Sequence, residues 1–258
     1  MKVIAITGGG QGIGRGIAYH FARLGYGVSI TDSDAAAGRE AGAAMAEMGA
    51  QCLFVRGDVS RPSDVNRWLA QTVTKLGTPD VLVNNAGIMI RKDVLKLTPA
   101  EFDKVIAVNL RGTFLCAQGA ARAMAKRGHA KNGHGGVIIN MASTRAFMSE
   151  PNTEGYTASK GGIFALTHGL AISLAPYRIR VNSISPGWIE VEDWKKSTKA
   201  KKPRHSKADR EQHPVGRVGV PEDIAMACEY LAENAPFMTG QNIIVDGGMS
   251  VKMIYAGD

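Results

Sequence analysis

An α/β fold built on one doubly wound, parallel sheet of seven strands is what this sequence predicts, and three observations carry the prediction. Short β-rich runs alternate with helix-length amphipathic segments from the first residues onward. A glycine-rich loop, Thr7-Gly8-Gly9-Gly10-Gln11-Gly12-Ile13-Gly14, follows the first run and leads directly into a helical segment. The alternation then persists to the far end of the chain, yielding seven β runs and no internal repeat.

The first run, residues 2–7 (KVIAIT), ends at the glycine loop, and a helix is expected near 13–25. The pattern then repeats as strand 27–31 (GVSIT), helix 34–49, strand 51–56 (QCLFVR), helix 62–76 and strand 80–83 (DVLV). One long helix is expected at 99–126, followed by strand 136–142 (GVIINMA), helix 156–175 and strand 178–184 (RIRVNSI). A helix near 221–232 opens on Pro221-Glu222-Asp223, where proline suits the first turn and acids favour the positive helix end; strand 242–245 (NIIV) completes the set. Two stretches break the rhythm: the Gly/His/Lys-rich loop 128–136, and the segment 187–213, whose length is that of a functional lid.

The chain of 258 residues therefore reads as a single domain over 1–258 with a substrate lid at 187–213. Hydrophobic residues at 45% and charged residues at 21% are those of an ordinary globular chain. No apolar run approaches the roughly 18 residues of a membrane span, and Met1-Lys2 runs straight into a strand, so a cytoplasmic protein without membrane association is expected. Cys52, Cys116 and Cys228 are too scattered for a disulfide framework or a zinc site, and the six histidines form no ligand cluster, His129 and His134 included; no metal is expected. The net charge of +8 is local, because residues 195–210 hold eight basic side chains against Asp209 alone. Such a Pro-interrupted run reads as a solvated, flexible segment rather than a nucleic-acid surface.

The glycine loop lets the backbone approach a pyrophosphate closely and offers it the positive end of the next helix, although its G-x-x-x-G-x-G spacing departs from the strict G-x-G-x-x-G fingerprint. Asp32 closes the second strand 18 residues beyond Gly14, near the spacing of about 20 at which a carboxylate accepts hydrogen bonds from an adenosine ribose. Its charge would repel a ribose phosphate, and no Arg or Lys follows it closely, so NAD is favoured over NADP. The competing reading of Asp32 is a plain helix cap, a role that Ser33 or Asp34 can also fill.

Tyr156 and Lys160 stand four apart on a helix and therefore share a face. A free phenol titrates near 10 and carries protons poorly at neutral pH unless a cation stabilises the phenolate, which Lys160 can supply. Ser143, at the end of a strand, offers a hydroxyl to hold a substrate oxygen, and Asn109 on the long helix can anchor a water in the proton path.

These residues, with Asp58-Val59, Asn84-Asn85-Ala86-Gly87, Pro186-Gly187 and Asp246-Gly247-Gly248, resemble the motifs of the short-chain dehydrogenase/reductase family over nearly the whole chain; Ser143 lies 13 residues before Tyr156. The resemblance implies a Rossmann-like doubly wound sheet, commonly in homotetramers with C-terminal segments at an interface. It implies the catalytic set Asn109, Ser143, Tyr156 and Lys160. It implies cofactor contacts at Gly8, Gln11, Gly12, Ile13, Gly14, Asp32, Asp58 and Val59, and further along at Asn85, Ala86, Gly87, Tyr156, Lys160, Pro186, Gly187 and Ile189. Within that set Asp58 holds the adenine amino group, Asn85 to Gly87 line the ribose, and Lys160 also binds the nicotinamide ribose. One departure is Val191, where relatives often carry a Thr whose hydroxyl meets the carboxamide; backbone groups at Ile189 remain available for that contact.

The substrate faces loops 88–96, 144–155 and 187–213, with Ser143, Arg145, Glu150, Tyr156 and Trp188 as the candidate contacts. The competing reading pairs Arg145 and Glu150 with each other or with solvent and makes Trp188 or Trp194 packing. The polar loops favour a sugar or polyol over a steroid. The leading expectation is thus an NAD-dependent alcohol–ketone oxidoreductase on a small polar substrate. Two alternatives stay open: a 3-oxoacyl carrier-protein reductase whose basic segment attracts an acidic carrier, and a non-catalytic dinucleotide sensor.

Overall fold

The computed structural model describes residues 1–129 and 133–253, so part of the loop 128–136 and the last residues of the expected domain lie outside the described residues. The strands are β1 (Val3–Thr7), β2 (Gly27–Asp32), β3 (Cys52–Arg56), β4 (Val81–Asn84), β5 (Gly136–Met141), β6 (Ile179–Pro186) and β7 (Asn242–Val245). Among the described residues they form one sheet of seven strands, ordered β3-β2-β1-β4-β5-β6-β7, with every pairing parallel. The apolar runs are continuous because a parallel sheet is covered on both faces. Ile4 and Ile6 point to one face with Ile17, Phe21, Val28 and Ile224, while Ala5 points to the other with Trp68, Leu82, Cys116 and Val181.

The helices are α1 (Gly12–Arg23), α2 (Ala35–Glu47), α3 (Pro62–Lys75), α4 (Pro99–Ile106), α5 (Gly112–Arg127), α6 (Glu154–Leu174), α7 (Lys207–Glu211) and α8 (Pro221–Glu229). The long helix expected at 99–126 is continuous in direction but carries a π-helical turn, Ala107–Arg111, between α4 and α5. Such widened turns cost hydrogen-bond geometry and recur where a side chain or carbonyl serves a site; this one contains Asn109. Chain order reverses at β1, whose neighbours are β2 and β4, and open α/β sheets bind ligands outside the strand ends at that point.

The basic stretch is in large part the solvated segment its composition predicts, with Lys199, Lys201, Lys202, Arg204, Lys207 and Arg210 exposed, but it does not begin that way. Its first part packs on α1 and α2: Lys196 Nζ lies 2.7 Å from Asp34 Oδ2, the Ser197 N–H and Oγ donate to Glu40, and the Lys195 carbonyl accepts from Arg15 at 3.2 Å. Lys195 and Lys207 pair locally, with Glu192 and Glu211, whereas Asp34 reaches Lys196 from a distant part of the sequence, which a local charge count cannot see. Among the described residues no helix is long and apolar enough to cross a membrane.

Candidate active site

The switch point is stitched by β1 and the turn after β4. The Thr7 hydroxyl accepts the N–H groups of Asn85 and Ala86, both at 2.9 Å, and Asn85 Nδ2 donates to the carbonyls of Thr7 and Gly8. Gly8 and Gly12 sit in the left-handed region at φ 64° and 57°, where a side chain is strained. Gly14 packs so closely that a Cβ there would stand 2.2 Å from the Gly8 carbonyl oxygen; its part is to seat α1 under the loop, and it does not line the groove. The N-cap of α1, Gln11, makes no side-chain capping bond and no acid occupies the first turn, whereas Asp34 and Thr98 cap α2 and α4. The amide ends and positive dipole of α1 are therefore left for an anion.

A groove of about 710 Å³ runs along these elements, lined by the expected Gly8, Gln11, Gly12, Ile13, Asp32, Asp58, Val59, Asn85, Ala86 and Gly87. Asp32 accepts one N–H on each oxygen, from Gly10 at 3.0 Å and Asp34 at 2.9 Å, which leaves further lone pairs facing the groove. Burial pushes its carboxyl above the ordinary value, with the backbone donors opposing. Asp34, not Asp32, caps α2 by accepting from Ala36 and Ala37, so the cap reading of Asp32 falls away. Asp58 accepts from both the N–H and the hydroxyl of Ser60. This donor and acceptor set fits a dinucleotide: an uncapped helix end for its pyrophosphate and a half-buried carboxylate for its ribose. Val191 lines the groove too, and sequence order hid Lys104 and Lys195, which do the same. It hid two cations near Asp32 as well: Arg56, its register partner on β3, and Lys196, held by Asp34.

A second cavity of about 670 Å³ shares Ile13, Asn85, Gly87 and Ile88 with the groove and brings together Ser143, Tyr156, Lys160, Arg145, Glu150, Pro186, Gly187 and Trp188. Lys160 is buried, donates to the Met141 carbonyl at 2.7 Å, and places Nζ 5.4 Å from the Tyr156 ring centroid. Ser143 Oγ accepts the Arg145 N–H at 3.2 Å, which leaves its hydroxyl hydrogen to be donated elsewhere. Arg145 and Glu150 do pair, and Arg91 joins them on the same carboxylate. Gly187 lies so close to Asp246 that a Cβ would stand 2.6 Å from the Asp246 Cβ; Asp246 in turn holds the Gly248 and Ser250 N–H groups, bringing Met249 to the cavity wall.

Asn109 is fully buried and lines neither cavity. Its side chain, expected to be free for a water, is committed: Oδ1 accepts from Ile88 N–H at 2.8 Å, and Nδ2 donates to the Ile88 carbonyl and to Ser159 Oγ, both at 2.9 Å. Ser159 then donates to the Tyr156 carbonyl at 2.7 Å, so Asn109 ties the turn after β4 to the first turns of α6. Nothing in the sequence pattern singled out Ser159. Ile189 lines neither cavity; it bridges Gly219 through the flanking Trp188 carbonyl and Glu190 N–H, and its own N–H and carbonyl stay out of that bridge. The two tryptophans divide: Trp188 lines the second cavity, flanked by the rings of His205 and His213, while Trp194 packs on Tyr19 of α1.

The chain matches known proteins over nearly its whole length. The family model described as "Enoyl-(Acyl carrier protein) reductase" matches residues 8–250. The chain is 53% identical over 256 residues to an "uncharacterized oxidoreductase" of Thermotoga maritima, covering 98% of each chain. It is 34% identical to the L-rhamnose-1-dehydrogenase of Scheffersomyces stipitis, covering 98% of this chain and 97% of that one. Among solved structures, a short-chain type dehydrogenase/reductase from Mycobacterium marinum superposes with a TM-score of 0.85 at 34% identity, covering 96% and 95% of the two chains.

Proposed function

We propose a function on the premise that the chain belongs to the short-chain dehydrogenase/reductase family: NAD(H)-dependent interconversion of a secondary alcohol and a ketone on a small polar substrate of sugar or polyol type. The observation that carries it is the convergence of Ser143, Tyr156 and Lys160 on one cavity that opens into the dinucleotide groove. The nicotinamide, when bound, supplies the two-electron hydride acceptor. In the oxidative direction Tyr156 Oη takes the proton of the substrate hydroxyl while Ser143 Oγ, oriented by the Arg145 N–H, donates to the same oxygen. Lys160, anchored on the Met141 carbonyl, places its ammonium beside the Tyr156 ring, in the cavity where the proton moves. Asn109 acts by position, fixing α6 against the turn that carries Ile88.

NAD is preferred because the Asp32 carboxylate lining the groove would set like charge against an adenosine ribose phosphate, and the nearby Lys196 is spent on Asp34. Segment 187–213 acts as the lid: Val191 and Lys195 reach over the groove and Trp188 and Gln212 wall the catalytic cavity. The sugar reading gains support from the rhamnose dehydrogenase relative. Exposed Phe114 on α5 and Phe164 and Ile172 on α6 support a homotetramer, and three free thiols support a cytoplasmic location.

The test follows NADH formation over sugars, polyols, hydroxy acids and acyl-thioester alcohols, with NAD and NADP offered separately. Turnover of a polyol, sugar or hydroxy acid with NAD, lost in Tyr156→Phe, is expected. Turnover confined to acyl thioesters with NADP identifies a carrier-protein reductase instead, and NAD binding without any turnover identifies a sensor.

A further inference from the structure

The charge of the catalytic cavity is unbalanced where a substrate would reach past the reacting carbon. Its charged lining side chains are Arg91, Arg145 and Lys160 against Glu150 alone. Lys160 is buried on the Met141 carbonyl beside Tyr156 and is absorbed by the proposed chemistry. That leaves two guanidinium groups for one carboxylate. They grip it from two sides, Arg91 through Nη2 to Oε2 and Arg145 through Nη2 to Oε1. The Arg145 bond, with Arg91 beside it, holds the Glu150 carboxyl below its ordinary range, so the acid stays ionised and its single charge is fully used.

Each guanidinium commits only Nη2 to that acid. Among the described residues, Nε and Nη1 of both arginines take no protein partner. An arginine edge with two parallel N–H donors is shaped for a carboxylate, and this pair already holds one. Arg145 is also fixed to the reacting centre, because its own N–H bonds Ser143 Oγ, the hydroxyl assigned to the substrate oxygen. The surplus cation thus lines the same cavity as Ser143 and Tyr156.

We propose, resting on the alcohol–ketone reading above, that the substrate is a polyhydroxy carboxylate, a hydroxy acid of the sugar-acid class, whose carboxylate binds the open edges of Arg145 and Arg91. Glu150 keeps the two side chains apart and aimed; it is a positioning residue for them. A neutral sugar or polyol leaves the surplus charge unpaired and binds more weakly.

Binding and turnover separate this inference from the reading beneath it. The full-length enzyme saturated with NADH, which cannot oxidise an alcohol, is titrated calorimetrically with aldonates of three to six carbons, D-gluconate among them, each matched to its polyol, such as D-glucitol. At least one aldonate is expected to bind ten-fold or more tightly than its polyol, with the difference lost in Arg91→Gln/Arg145→Gln while NADH affinity, read by fluorescence, is unchanged. Should the double variant fail to fold, Arg91→Gln alone, at an exposed position, is expected to lose part of the preference. Equal affinities, a tighter polyol, no binding by any aldonate, or a preference that survives the substitutions overturns the proposal. NADH formation from a neutral polyol without any aldonate preference would sink the carboxylate and keep the alcohol–ketone reading. Aldonate binding dependent on the arginines, with no alcohol oxidised, would do the reverse.

Discussion

Ser159→Ala asks how far the proposed chemistry depends on a residue that lines neither the dinucleotide groove nor the catalytic cavity. Ser159 Oγ accepts from Asn109 Nδ2 at 2.9 Å and donates to the Tyr156 carbonyl at 2.7 Å, and both Ser159 and Asn109 are fully buried. Removing the hydroxyl leaves one Asn109 N–H unpaired in the interior, a penalty of ~1–3 kcal/mol. Taking about 2 kcal/mol, a domain of this size loses ~4–8 °C in Tm. Asn109 stays bonded to Ile88 at both its amide atoms, so the groove survives and NADH affinity is expected to change less than about 2-fold. The first turn of α6 is no longer tied to that turn, and a small displacement of Tyr156 lowers kcat by ~10-fold, a barrier change of ~1.4 kcal/mol. Calorimetry, NADH fluorescence titration and steady-state kinetics read the three quantities. A lowered Tm with unchanged kcat would refute the reasoning, as would NADH affinity falling in step with kcat.

Three further outcomes are expected. Asp32→Asn removes the charge facing the adenosine ribose, and since hydrogen bonds to a charged group are worth ~1.5–3 kcal/mol, kcat/KM for NAD falls ~10–100-fold while that for NADP rises; in the parent, NADH affinity declines as pH falls through a value raised above the ordinary 3.8, because the ionised form must be present to accept from the ribose. Glu101 is held down to about 2 by Lys92 and then by the Thr98 N–H and hydroxyl; its folded value lies below its unfolded one, so its stabilisation is complete above the ordinary 4.5 and is lost as pH falls toward 2, and Lys92→Met is expected to flatten that acid limb in a plot of Tm against pH. Glu40→Gln loosens the seam that Arg15 and Ser197 make between α2 and the segment after Trp194, so NADH displacement in stopped flow is expected to quicken by ~3–10-fold; an unchanged rate would show that the seam does not gate release.

The features legible in the sequence are those that repeat along the chain or lie within one turn of helix. All seven strands fall within two residues of their expected bounds, because parallel strands are unbroken apolar runs between turn signals. Tyr156 and Lys160 were visible as neighbours because four residues make about one helical turn. The π-helical turn was not, since nothing in Ala107–Arg111 breaks a helical pattern and the partners of the Asn109 side chain, Ile88 and Ser159, lie far along the chain. Arg91 meets Glu150 across 59 residues and Lys196 meets Asp34 across 162, so neither the arginine pair nor the packed basic segment has a local signature. Ser159 was silent for a different reason: a serine in a helix interior reads as a neutral surface residue until its partner is placed beside it.

The central claim is that Tyr156 carries the substrate proton, and one comparison tests it most directly. Single-turnover NADH formation from the best alcohol substrate is measured for the parent and Tyr156→Phe, with NADH affinity read in parallel. Loss of a positioned proton acceptor predicts a rate lowered by ~10²–10⁴-fold with affinity changed less than about 2-fold. A Tyr156→Phe rate within about ten-fold of the parent, at unchanged affinity, would contradict the assignment and move the proton to another group.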